Sequence, residues 1–156
     1  MTFKIALKYL LLAAMLLLLS CNKNSKINKT AKHKKQTITL SEGWMRPANV
    51  NRNSACFLKI TNNSDSPDTL IGVYSKLAKT VQFHLSYKND DGTMGMKQVV
   101  AIPIKANSVF NFKPGMYHIM LIGMNKTMPL NSLGRITLRF KHAGTKSIKV
   151  EVKDSY

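Results

Sequence analysis

The chain has 156 residues, 24 Lys and Arg against 7 Asp and Glu for a formal charge of +17, and 44% hydrophobic residues, which is enough for one core and too little for several. Two cysteines, the first of them at the leader's cleavage position, leave one thiol and exclude a disulfide-framework domain. The charge raises nucleic acid as a partner, but no basic and aromatic residues interleave as on a reading surface, and the leader directs the chain away from nucleic acid, so none is expected.

Residues 1–20 read as a lipoprotein signal peptide. Lys4 and Lys8 flank a short apolar run, Tyr9 to Leu19, that is too brief for a comfortable bilayer span and ends in Leu18-Leu19-Ser20-Cys21. That tetrapeptide resembles a bacterial lipobox, which implies that Cys21 is acylated, becomes the first mature residue and anchors the chain to a membrane. Asn22 rather than an aspartate follows, which favours the outer membrane where a cell has two, with the protein on its periplasmic side.

Residues 21–36 form a basic tether. Asn, Lys, Ser and Thr dominate it, Ile27 and Ala31 are its only apolar members, and such a composition cannot bury enough surface to order itself. Its lysines (Lys23, Lys26, Lys29, Lys32, Lys34 and Lys35) carry much of the excess charge and suit anionic lipid head groups. Without Lys4 and Lys8 the basic count is 22 against 7 acids, a mature formal charge of +15. His33 in this tract is expected to be solvated.

Residues 37–156 read as one all-β domain, a sandwich or a barrel. Short alternating or β-branched runs are expected as strands at Thr37–Leu40, Ala55–Thr61, Thr69–Tyr74, Thr80–Tyr87, Gln98–Ile104, Ser108–Phe112, Tyr117–Ile122, Arg135–Lys141 and Ser147–Val152. Turn residues separate them, among them Asn62-Asn63-Ser64-Asp65-Ser66-Pro67 and Lys88-Asn89-Asp90-Asp91-Gly92, where the two acids serve the turn. Lys113-Pro114-Gly115-Met116 has proline and glycine at the central positions of a type II turn. Cys56, among apolar neighbours, is expected to be a core thiol, and His142 a loop histidine.

The chemistry concentrates between His84 and Met120. On a strand residues i and i+2 share a face, so His118 and Met120 project together while Tyr117, Ile119 and Leu121 point the other way. Met94 and Met96 have the same spacing and offer a second arm, and His84 adds a nitrogen. A His-x-Met pair alone is a common accident of strands, but six of the seven methionines beyond the leader fall between Met94 and Met128. Thioethers and imidazoles suit monovalent copper, whereas calcium, magnesium and manganese need oxygen donors. A blue-copper electron carrier would need a cysteine thiolate near a histidine, and Cys56 has none nearby; neither a nucleophile elbow nor a carboxylate pair for acid–base work appears, so no enzymatic activity is expected. A metal-free adhesion or scaffolding lipoprotein is the other rival.

The segments GWMRPA, VQFHLS, DGTMGMKQV, IPIKANSVFNFKPGMYHIMLIGM and ITLRFKHAGTKSIKVEV, in that order, resemble the periplasmic copper chaperones written PCu(A)C, over about residues 38 to 152. The family motif is a histidine, a methionine about eleven residues on, and His-x-Met some twenty-two residues later. Here Met96 to His118 is 22 residues and His84 to Met96 is 12, one more than usual, with the extra residue in the polar turn before Gly92; Met116 replaces a second turn glycine. The resemblance implies a cupredoxin-like β-sandwich binding Cu(I) through His84, Met96, His118 and Met120, with Met94 the alternative to Met96. It further implies a chaperone that passes copper to a recipient such as a cytochrome oxidase subunit or another copper chaperone. Some members add a Met- and His-rich C-terminal Cu(II) site, and Lys153-Asp154-Ser155-Tyr156 leads us to expect none here.

Overall fold

A computed structural model describes residues 37–154. The signal peptide, Cys21, the tether and His33 lie outside the described residues. Ten strands and no helix make up what is described: β1 Ile38–Met45, β2 Ser54–Asn62, β3 Asp68–Tyr74, β4 Ala78–Lys88, β5 Met94–Val99, β6 Ile102–Ile104, β7 Ser108–Phe112, β8 Tyr117–Met124, β9 Leu133–Phe140 and β10 Gly144–Val152.

Hydrogen bonds join them in the order β5-β4-β8-β2-β1-β10-β9-β3-β6, with β7 on part of the β2 edge. β1 and β10 run parallel, and the other pairings among the described residues are antiparallel. The sequence alternates along these strands, as in Leu133–Phe140, where Gly134, Ile136, Leu138 and Phe140 are buried and Leu133, Arg135 and Arg139 are exposed. Such a strand has one apolar face. Such faces meet in one cluster, with Phe83, Cys56, Ile119 and Leu121 from one end of the order and Leu70, Ile102, Ile136, Leu138 and Val150 from the other. The sheet folds over on itself into two layers, and each large aliphatic side chain enclosed there contributes about 1.5–3 kcal/mol.

Two expectations change. Gln98–Ile104 is not one strand, because the ladder breaks at Val100 and Ala101, leaving β5 and β6 at opposite ends of the order. The first strand runs on to Met45 through a register shift between Ser41 and Trp44, where Glu42 takes φ 55°. This bulge returns Trp44 and Met45 to the ladder opposite Phe57 and Cys56.

Candidate metal centre

Strand β4 is flanked by β5 and β8, and their registers set the rows of the site. His84 lies opposite His118 on β8 and Gln98 on β5. One row towards the β4–β5 turn, Ser86 lies opposite Met96 and its amide donates to the Met116 carbonyl at 3.2 Å. One row the other way, Gln82 lies opposite Met120. Phe83, Ile119 and Leu121 point into the core, so the residues alternating with them share the outer face. The His84 and His118 ring centroids are 5.8 Å apart.

The turn before β8 builds the wall. β7 and β8 both run against β2, with Phe112 opposite Leu58 and Ile119 opposite Cys56, so residues 113–118 face Phe57 alone and must loop outwards. Lys113-Pro114-Gly115-Met116 closes with the Met116 amide donating to the Lys113 carbonyl at 3.2 Å, and Gly115 at φ 76° fills the left-handed position that a type II turn demands. The raised turn and β2 enclose an open cavity of about 300 Å³ whose lining includes Arg46, Pro47, Phe57, Ser86, Met96, Pro114, His118 and Met120. The Phe57 ring is 6.5 Å from that of His118 and 4.5 Å from that of Trp44, and the Arg46 guanidinium sits 5.9 Å over Phe57.

Each imidazole has one nitrogen committed and one bare. His118 is 5% exposed, and its Nδ1 donates to the Met116 carbonyl at 3.0 Å, which leaves Nε2 as an acceptor. His84 Nε2 donates to Gln82 Oε1 at 3.0 Å, which leaves Nδ1 unprotonated, and that atom is buried without a hydrogen-bond partner. Burial first, and the neighbouring His118 second, hold the His84 ring below the usual imidazole range, which favours its neutral form. An unpartnered buried acceptor costs about 1–3 kcal/mol unless something binds it, and a cation is the group that suits a bare imidazole nitrogen beside thioethers. The lining contains no carboxylate, and no group of three or more His, Cys, Asp or Glu side chains assembles among the described residues. The donor set fits a soft ion and no hard one.

Of the residues expected from the sequence, Met96, His118 and Met120 line the cavity, and His84 stands beside His118 without entering the lining. Met94 is 63% exposed, opposite Lys88 and one row beyond Met96, outside the cavity. Cys56 is fully buried on the core side, with burial pushing its thiol pKa up, so it presents no thiolate. Asp91 serves its turn, accepting from the Thr93 amide and hydroxyl at 2.9 and 2.6 Å, and His142 is an exposed turn residue. The sequence reading missed Gln82 and the Met116 carbonyl, which orient the two rings. The i, i+2 rule pointed to both, since each lies two residues before a histidine.

Residues 38–152 match the family model described as LpqE-like lipoprotein. A curated relative, the lipoprotein Lxx21020 of Leifsonia xyli subsp. xyli (strain CTCB07), is 26% identical over 117 residues, covering 75% of this chain and 70% of its own length. Among solved structures, the copper-bound PCuAC domain from PmoF2 is 28% identical with a TM-score of 0.62, covering 74% of this chain and 92% of that domain. The solution structure of Cu(I)-DR1885 from Deinococcus radiodurans, 24% identical with a TM-score of 0.58, covers 78% and 82%. The shared fold is the cupredoxin-like β-sandwich.

Proposed function

The chain belongs to the LpqE-like lipoprotein family, and from that premise we propose that it is an extracytoplasmic copper chaperone holding Cu(I) for transfer to a recipient protein. The observation that carries the reading is the pair of imidazoles, His84 and His118, each tied down by one nitrogen with the other bare, beside a cavity that Met96 and Met120 enter. His84 Nδ1, His118 Nε2 and the thioethers of Met96 and Met120 are the proposed ligands. The two rings supply donors whose orientation is already fixed, so little order need be gained on binding. Met96, 58% exposed, supplies a soft donor on the solvent side that an incoming ligand can displace. Copper is cargo here, and no turnover is involved.

The copper in the related PmoF2 domain supports this assignment of cargo. Met96 is assigned ahead of Met94 because it lies in the row next to the histidines and lines the cavity. Copper-centre assembly in cytochrome oxidase is the proposed destination, with an oxidase subunit or a second chaperone as recipient. Acylation at Cys21 would anchor the protein on the periplasmic side of a membrane, and Asn22 favours the outer one. An electron-transfer cupredoxin is disfavoured by the burial of Cys56 in the core.

An anaerobic Cu(I) titration against a chromophoric chelator tests the proposal, comparing the native chain with His118→Ala. One equivalent retained natively and lost in the variant supports it. A native chain that surrenders all its copper to a weak chelator, or a variant that retains it equally, refutes it.

A further inference from the structure

Methionine is a core residue by habit, yet Met96 and Met116 are 58% and 46% exposed on the outer face beside the cavity. Ser86 stands between them, paired with Met96 on one side and bonded through its amide to the Met116 carbonyl on the other. Adjacent strands lie about 4.8 Å apart, so the two methionine backbones flank Ser86 at roughly 10 Å. The serine side chain between them is too short to fill that gap, and methionine side chains turn about three bonds. Their row lies next to the His84–His118 row, about 6.7 Å along the strands at two residues of rise. Met116 is held there through its carbonyl, which accepts from both His118 Nδ1 and the Ser86 amide. Its thioether belongs to the raised turn that walls the cavity but is not part of the lining.

We infer that Met116 is a transfer residue: with Met96 it forms an outer soft-donor station above Ser86, where Cu(I) pauses between solvent or a recipient and the inner imidazoles. This rests on the copper-chaperone reading. In the transfer, the bond from Met116 sulfur to Cu(I) forms as that from an inner donor breaks, with no change of oxidation state and no proton moved by a thioether. A group that touches the ion only in passage lowers the barrier in both directions, so it changes capture and release by one factor and leaves their ratio alone. An inner ligand changes the ratio.

The test is anaerobic stopped-flow exchange of Cu(I) between the full chain and bicinchoninate, in both directions, for native, Met116→Leu and Met94→Leu chains. Leucine keeps the volume of an exposed methionine and removes the sulfur donor. Met116→Leu is expected to slow capture and release alike, on the order of threefold to tenfold, with the equilibrium constant unchanged. Met94→Leu, at a methionine more exposed than Met116 but one row further out and opposite Lys88, is expected to leave both rates unchanged. Native rates in Met116→Leu, a changed equilibrium constant, or equal slowing in Met94→Leu overturns the inference while the chaperone reading stands. A native chain that binds no Cu(I) overturns both.

Discussion

Replacing Gln82 by leucine tests whether the site is prepared in advance. Gln82 Oε1 accepts from His84 Nε2 at 3.0 Å, and the bond does two things. It fixes the tautomer that leaves Nδ1 bare, and it holds the ring beside that of His118 at 5.8 Å. Loss of a hydrogen bond of this kind is worth about 0.5–1.5 kcal/mol, or roughly twofold to thirteenfold in an equilibrium constant. The freed ring also redistributes between tautomers and rotamers, and outer partners of metal-binding histidines typically contribute 10–100-fold in affinity. Gln82→Leu should therefore weaken Cu(I) binding by about tenfold to hundredfold, about 1.4 to 2.7 kcal/mol. Its half-buried side chain can be exchanged for leucine without opening a cavity, so thermal unfolding of the copper-free chain should move little. The assay is chelator competition at neutral pH, with circular dichroism melting of the same samples. A loss below threefold with an unchanged fold would show that His84 needs no orienting partner, and the preorganisation argument would fail.

Acid should act through the same ring. Folding lowers the His84 pKa, so the native state favours neutral imidazole; that stabilisation is complete above the ordinary value of about 6.5 and is lost as pH falls through it towards the lowered folded value. Denaturant unfolding should show the copper-free native chain losing stability relative to His84→Gln as pH falls from neutral into acid, and curves that stay parallel would remove burial as the cause. Cu(I) affinity should weaken in acid as protons compete for imidazole nitrogen, yet persist in part because thioether sulfur has no proton to lose, and a flat competition profile would argue against histidine ligation. Cys56→Ala should retain one equivalent of Cu(I) with native affinity, and the native thiol should resist a colorimetric thiol reagent until the chain is unfolded. Asp68→Ala should cost about 2–3 kcal/mol in urea unfolding, because its buried carboxylate accepts from the amides of Thr69, His142 and Ala143 at 2.6, 3.0 and 2.8 Å. Copper affinity should be unchanged in that variant, since β3, β9 and β10 lie away from β5, β4 and β8 in the strand order.

What could be read from the sequence was local, and what could not was register. The runs Arg135–Lys141 and Tyr117–Ile122 announced strands, observed as Leu133–Phe140 and Tyr117–Met124, because each residue's face depends only on its neighbours, and the same rule put His118 and Met120 together. Pro114-Gly115 announced its turn because few residues accept φ 76°. The run Gln98–Ile104 misled because apolar residues continue through a break in the ladder, and no local pattern says that β5 will pair with β4 while β6 crosses to β3. The first strand was expected to stop at Leu40, whereas the chain uses the left-handed Glu42 for a bulge that carries Trp44 to Phe57. The choice between Met94 and Met96 was undecidable for the same reason. Two thioethers on one face differ only in which row faces the histidines, and a one-residue lengthening of the preceding turn moves that choice. The pairings of Ser86 with Met96 and of His84 with His118 put Met96 in the row next to the histidines, and they are set by hydrophobic contacts of Phe83, Ile119 and Leu121 on the opposite face. The core that holds the sheet in register thus also sets which sulfur lines the cavity, and a slip by one residue in β4 would turn His84 inwards and Phe83 outwards together.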